Sequence, residues 1–91
     1  MAVTHKPGRI IMTAAADTYL DNKFLVYGLN WYGAANTNTL VVLDDTNEKV
    51  FGWTAETGNL DCAYTFPKPI PVTEITAGTM GGGTLVLYVS L

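Results

Sequence analysis

Apolar residues recur at every second position in several short segments of this chain, and turn-forming residues separate the segments. The clearest case is the last segment, in which Leu85, Leu87, Val89 and Leu91 alternate with other residues. Successive side chains of a β-strand point to opposite faces, so a period of two is typical of strands that bury one face. No segment has the three- and four-residue apolar spacing of an amphipathic helix. The pattern therefore predicts a chain built from strands.

Turn signals divide the chain into about seven predicted strands at spacings of roughly 8–12 residues, which is typical of β-sandwiches and small barrels. The predicted strands comprise residues 9–15, 24–32, 39–43, 49–55, 60–66, 72–75 and 84–91. The acidic turn at residues 44–47 predicts the clearest hairpin. We therefore predict an all-β fold, a compact β-sandwich or small barrel of about seven antiparallel strands.

Prolines and glycines interrupt the second half of the chain. Pro67, Pro69 and Pro71 lack the backbone donor that a sheet ladder needs, so regular pairing is expected to break there. Such a segment suits either a crossing between two sheets or a sheet edge. A glycine-rich bend is predicted over residues 77–83, before the last strand.

The long predicted strand at residues 24–32 has two different faces. Its expected core face comprises Leu25, Tyr27, Leu29 and Trp31. Trp31 and Trp53 are the first candidates for the core of the protein. Tyr32 follows Trp31 directly and points to the opposite face, so it is expected to meet solvent or a partner.

Ninety-one residues are enough for one domain with a thin hydrophobic core. We predict a single β domain over residues 1–91, in which residues 1–8 can form an extended N-terminal arm. Cys62 is the only cysteine, so no disulfide can form within the chain. A buried free thiol is expected, and an intermolecular Cys62 pair stays open. Because small domains often gain stability from a partner subunit, we expect a homo-oligomer.

Candidate catalytic and metal-binding groups are few. His5 is the single histidine, and the acidic residues 44–48 lack the spacing of a calcium loop. We expect no enzyme, no catalytic residue, no cofactor and no metal site, because no nucleophile, base and acid can be assembled. The other carboxylates are predicted to be solvated at turns and strand ends, namely Asp17, Asp21, Glu56, Asp61 and Glu74.

Charge is sparse, at 14% of residues with a net charge of -3, whereas soluble domains average about 25% charged residues. Neutral and apolar groups must therefore reach the surface, where large apolar patches mark interfaces. The basic residues are scattered, which argues against a nucleic-acid partner. No apolar run approaches the ~20 residues of a membrane span. Residues 1–8 lack the apolar region of a signal peptide, so synthesis in a cytoplasm is expected.

Several segments resemble small proteins encoded among the structural genes of tailed bacteriophages. The segments are THKPGRI at residues 4–10, KFLVYGLNW at 23–31, TLVVLDD at 39–45 with KVF at 49–51, and GTLVLYV at 83–89. The resemblance is one of layout and short segments, and it extends over most of the chain. The residues 67–71 and 81–83 match no feature of that family.

The resemblance implies a virion structural protein, and in particular a capsid decoration (cement) protein on the assembled head. Its partners would be the major capsid protein and copies of itself, and its location the capsid surface. The residues expected to bind the partner are Thr4, His5, Lys6, Arg9 and Tyr32. A head–tail joining or tail-associated module is one alternative. A carbohydrate-binding module that stacks sugars on exposed aromatic residues is another.

Overall fold

The structure, a computed structural model, describes residues 3–56 and 60–91, and the regular structure in these ranges consists of β-strands. The strands are β1 Val3–Lys6, β2 Arg9–Met12, β3 Thr18–Tyr32, β4 Thr39–Leu43, β5 Lys49–Thr54, β6 Cys62–Met80 and β7 Thr84–Val89. They form one sheet in the order β1-β2-β7-β3-β6-β4-β5, and every pairing is antiparallel. The predicted all-β fold of seven antiparallel strands is confirmed.

The sheet is bent back on itself into two layers. Trp31 on β3 and Trp53 on β5 lie three strand spacings apart in the sheet order, a separation of about 14 Å in a flat sheet. Their rings nevertheless meet edge to face, with centroids 5.9 Å apart. His5 on β1 and Tyr19 on β3 are also three spacings apart and have ring centroids 5.2 Å apart. Both ends of the sheet therefore fold over a shared core.

A β-bulge in β3 is one cause of the bend, and it corrects the predicted core face of this strand. The register against both β6 and β7 shifts between Val26 and Gly28. Phe24 and Val26 are buried before the bulge, and Leu29 and Trp31 after it. The prediction that Leu25 and Tyr27 lie in the core was wrong, because an extra residue reverses which alternate positions face inward.

Strand β6 contains the prolines of the second half of the chain. Its residues 62–65 pair with β3, and the pairing resumes at Ile70. The residues between, 66–69, include two prolines and have no partners on β3. The prediction of two separate strands here was wrong, since β6 continues through the prolines. The strands form one sheet, and β4 pairs only with the last residues of β6, so the proline segment lies on an edge with one neighbouring strand and does not cross between two sheets. The predicted glycine bend is shorter than expected, because residues 77–80 belong to β6.

The N-terminal segment forms part of the sheet from Val3 onward. Residues 3–6 make the edge strand β1, which pairs with β2 across a turn at Pro7 and Gly8. Gly8 has a φ of 80°, in the left-handed region that favours glycine. Its N–H donates to the Leu91 carbonyl at 2.6 Å, and its carbonyl accepts from Val89 N–H at 2.9 Å. The two residues before Val3 lie outside the described ranges.

Asp17 corrects a second expectation, because this carboxylate is fully buried and not solvated. Its Oδ2 accepts hydrogen bonds from the backbone N–H groups of Thr13 and Ala14, both at 3.1 Å. Its backbone carbonyl accepts from Ala77 N–H, and Ala16 N–H donates to the Ala77 carbonyl. Asp17 therefore fastens the connection between β2 and β3 to the C-terminal part of β6.

The core lies between the two layers, and its buried aliphatic and aromatic side chains come mainly from five strands, β2, β3, β4, β6 and β7. Trp31 is completely buried, as predicted, and its indole Nε1 donates to the Gly82 carbonyl at 2.9 Å. Trp53 is only partly buried and packs against the margin of the core. Phe51, Tyr64 and Phe66 form an aromatic cluster that closes the side of the sandwich between β5 and the start of β6.

Replacing Gly28 should destabilise the fold, because the bulge brings this residue against the β6 backbone. A Cβ at Gly28 would lie 2.5 Å from the Tyr64 carbonyl oxygen. We expect Gly28→Ala to lower the free energy of unfolding by about 2 kcal/mol or more, measured by urea denaturation. Gly52→Ala is the matched control, since the nearest atoms there belong to the flexible Lys49 side chain. Equal stability of the two variants would contradict this account of the bend.

Candidate protein-interaction face

The outward side of one layer presents a regular grid of side chains, because partners in an antiparallel register share a face. One row across five strands consists of Lys6, Arg9, Tyr88, Gly28 and Thr65. The next row consists of Thr4, Ile11, Val86, Asn30 and Ala63. A third, shorter row consists of Thr84 and Tyr32. We call these twelve residues the tyrosine face.

The tyrosine face combines exposed aromatic and aliphatic groups. Tyr32 and Tyr88 are 44% and 42% exposed, respectively. Ile11 and Val86 belong to the row between those of the two tyrosines and are half-buried. The tyrosines thus offer large apolar rings with polar tips, on a base of β-branched residues that hold the sheet rigid.

The charge on this face has one sign. Lys6 and Arg9 are its only charged residues, and no aspartate or glutamate is among its twelve members. The whole chain has a net charge of -3. The tyrosine face is therefore a positively charged surface on an acidic protein.

The outward side of the other layer has different chemistry. Its paired positions include Thr18, Thr39, Thr54, Thr76 and Thr79, which we call the threonine face. The hydroxyl oxygens of Thr18 and Thr76 are 3.0 Å apart, and those of Thr39 and Thr54 are 3.3 Å apart. Within each pair the two hydroxyl groups hydrogen-bond to each other, so this face has fewer polar groups that need an external partner.

The structure brings together four of the five residues predicted to bind a partner. Thr4, Lys6, Arg9 and Tyr32 all belong to the tyrosine face. His5 does not, because it alternates with Thr4 and Lys6 and shares the opposite face with Ile10. The sequence interpretation did not assign Tyr88 to this surface. The alternation of the last strand could have indicated it, since Tyr88 points to the opposite face from the apolar residues that begin at Leu85.

His5 instead takes part in a chain of polar contacts at the edge of the sandwich. The Tyr19 hydroxyl donates to Asp21 Oδ2 at 2.8 Å and lies 3.2 Å from His5 Nδ1. The hydrogen bond to Asp21 raises the pKa of Tyr19, and the same bond lowers the pKa of Asp21. These exposed groups tie β1 to β3, and so they hold the edge strand that contributes Thr4 and Lys6 to the tyrosine face.

The carboxylates of the acidic turn between β4 and β5 accept hydrogen bonds from the turn itself and from β6. Asp44 Oδ1 accepts from the Thr46 hydroxyl and N–H and from Glu48 N–H, at 2.7–3.0 Å. Asp45 Oδ2 accepts from the hydroxyl and N–H of Thr73, both at 3.0 Å. Within residues 3–56 and 60–91, no group of three or more histidine, cysteine or acidic side chains is arranged to hold a metal ion.

Cys62 is a free, partly buried thiol at the start of β6, opposite Trp31 in the register. Burial raises the pKa of this thiol. A raised pKa leaves little thiolate at neutral pH, so the side chain has the low reactivity of a packing residue.

No pocket is present in the part of the chain that the structure describes. The same residues contain no helix long and apolar enough to cross a membrane. No protein-family model, curated protein or solved structure matches this chain.

Asp44 should make the stability of the protein sensitive to acid. Hydrogen bonds, first from the Thr46 hydroxyl, hold its pKa below the ordinary value of 3.8. A lowered folded pKa gives stability that is present above the unfolded pKa and is lost as pH falls through the folded value. We therefore expect the melting temperature of the wild type to fall more steeply below about pH 4 than that of Asp44→Asn. Asp61→Asn, at an exposed position, is the control, and parallel acid limbs for Asp44→Asn and wild type would contradict the assignment.

Proposed function

We propose that this chain is a structural protein of a tailed-phage virion, a capsid decoration protein that binds the major capsid protein through the tyrosine face. The observation that supports this proposal is the tyrosine face itself. It combines two exposed tyrosines, half-buried aliphatic residues and two cations on one rigid sheet surface. Tyrosine and arginine are enriched among the residues that contribute most to binding in protein interfaces.

The shape of this surface favours a macromolecular partner over a small ligand. Small molecules bind in concave sites that enclose most of their surface. The tyrosine face is instead the open side of a sheet, and its rows follow five neighbouring strands. A surface of this kind suits a broad contact with another protein.

The size of the face favours a protein that acts in many copies. Five strands and three rows cover about 19 Å by 13 Å, or roughly 250 Å². A stable interface uses about 800 Å² on each partner, so one such contact is weak. Repetition over a capsid lattice, together with contacts between neighbouring copies of the chain, converts weak contacts into firm attachment. The thin core expected for 91 residues is consistent with a protein that gains stability from its neighbours.

The two exposed tyrosines also favour a second candidate, a carbohydrate-binding module. Sugar rings stack on exposed aromatic side chains, and Tyr32 and Tyr88 lie on one face. A glycan array separates the candidates, because a decoration protein should bind no glycan at micromolar concentration. A head–tail or tail module differs from a decoration protein in copy number, since a decorated head has hundreds of copies and the neck or tail has a dozen or fewer.

Truncating both tyrosines should impair attachment to the head. The binding partner in this test is the empty head assembled from the major capsid protein of the phage that encodes the chain. We expect the double variant Tyr32→Thr with Tyr88→Thr to bind these heads about tenfold more weakly, or weaker still, because it lacks two anchor residues. Threonine keeps the strand propensity of these positions. Cosedimentation with the heads measures the effect.

The matched control is Thr54→Ala on the threonine face, which should bind as the wild type does. Thermal unfolding of each variant checks that the fold is intact. Wild-type binding by the folded double variant would remove the tyrosine face from the proposal. A wild-type protein that does not bind heads at any concentration would remove the proposal itself.

A further inference from the structure

The positive charge of the tyrosine face is concentrated at one corner. Lys6 and Arg9 are direct partners in the β1–β2 register, and Arg9 is the direct partner of Tyr88 on β7. The three side chains therefore stand side by side in one row, at intervals of about 5 Å. We call Lys6, Arg9 and Tyr88 the cationic row.

This arrangement breaks a local rule of sheet stability. Like charges directly opposite each other on neighbouring strands are destabilising, and opposite charges at such positions are stabilising. Lys6 faces Arg9, and no carboxylate belongs to their face. Within residues 3–56 and 60–91, neither cation forms an ion pair with an acidic side chain. Departures from local consistency of this kind concentrate at functional sites, where a partner provides the missing interaction.

The scaffold fixes the backbone of Lys6 and Arg9 before any partner binds. Gly8 lies in the turn between them, and hydrogen bonds fasten it to Leu91 and Val89. His5 and Tyr19 fasten the β1 strand from the other side. Residues whose backbone is already fixed lose less conformational entropy on binding than residues on a free arm.

We infer that the partner surface that meets the tyrosine face is acidic, and that carboxylates of the partner protein bind the cationic row while Tyr32 and Tyr88 provide the apolar contact. This inference rests on the proposed function and specifies the chemistry of its partner. An acidic protein surface relieves the repulsion between Lys6 and Arg9, since each cation then gains an anion.

Two other occupants fit less well. Two copies that paired tyrosine face to tyrosine face would bring together surfaces of the same sign, which is unfavourable. A nucleic acid would find only two cations on this face, whereas proteins that bind DNA by charge commonly contact about 6–10 phosphates. An acidic protein is therefore the occupant that the charge favours.

The inference is tested by charge reversal at the cationic row. We expect Lys6→Glu with Arg9→Glu to weaken binding to empty heads by about tenfold or more. We also expect wild-type binding to weaken as salt rises from about 50 to 500 mM, and the residual binding of the variant to strengthen, because salt screens the repulsion between its glutamates and an acidic surface. Lys23→Glu is the matched control, since it makes a charge reversal on β3 at a position outside the tyrosine face, and it should bind within about twofold of wild type.

A second measurement separates a binding role from a structural one. The single variant Lys6→Glu replaces a like-charge pair with an opposite-charge pair, so its melting temperature should rise while its binding weakens. A gain in stability with unchanged binding would overturn the inference and leave the cations without a role in docking.

The remaining outcomes are distinguishable from one another. If the tyrosine variant loses binding but charge reversal and salt have no effect, the proposed function stands and the acidic partner does not. If the wild type binds heads and neither set of variants matters, the tyrosine face is not the docking surface and the inference fails, while the proposed attachment to the head stands. If the wild type binds oligo-dT as tightly as it binds heads, and charge reversal abolishes that binding, the face is assigned to nucleic acid. Self-association in sedimentation that charge reversal abolishes would assign it to a second copy. Either result would overturn the inference.

Discussion

The bulge at Tyr27, where β3 lies beside the proline segment of β6, is the constraint on which the rest of the structure depends. It reverses which residues of β3 face inward, so that one strand contributes Phe24 and Val26 to one half of the core and Leu29 and Trp31 to the other. Without the extra residue, strict alternation would place Phe24 and Val26 on the opposite face from Leu29 and Trp31, so only one of these pairs could lie in the shared core. With it, the two halves of the sheet close on each other, and a chain of only 91 residues acquires a complete core.

The sequence was sufficient for the parts of the fold that depend on local chemistry. The hairpin around the acidic turn was predicted, because Asp44 and its neighbours form a turn through bonds to residues no more than four positions away. The alternation of the last strand was also read correctly. The bulge was not predicted, because it is fixed by the meeting of Gly28 with the Tyr64 backbone, a contact between residues far apart in the chain. Asp17 was also misjudged, because the backbone pairing of its connection with Ala77 joins residues far apart in the chain.

The candidate face was partly accessible to sequence reasoning. Lys6, Arg9 and Tyr32 were selected individually as a basic arm and an exposed aromatic residue, and each lies on the tyrosine face. Their adjacency could not be derived, because it follows from β7 inserting between β2 and β3 in the sheet order. That insertion also adds Tyr88 to the row. Strand order, which a single sequence does not encode in local patterns, thus determines which residues share a surface.

The hydrogen bond between Gly8 N–H and the Leu91 carbonyl has a practical consequence for anyone who wishes to display a cargo on this scaffold. A peptide or fluorescent protein fused after Leu91 would emerge beside Lys6 and Arg9 and would shield them from an approaching surface. The loop at residues 44–48 joins β4 and β5 at the far end of the strand order. A graft there would leave the docking side free, but it would interrupt the hydrogen bonds that Asp44 accepts from Thr46 and Glu48.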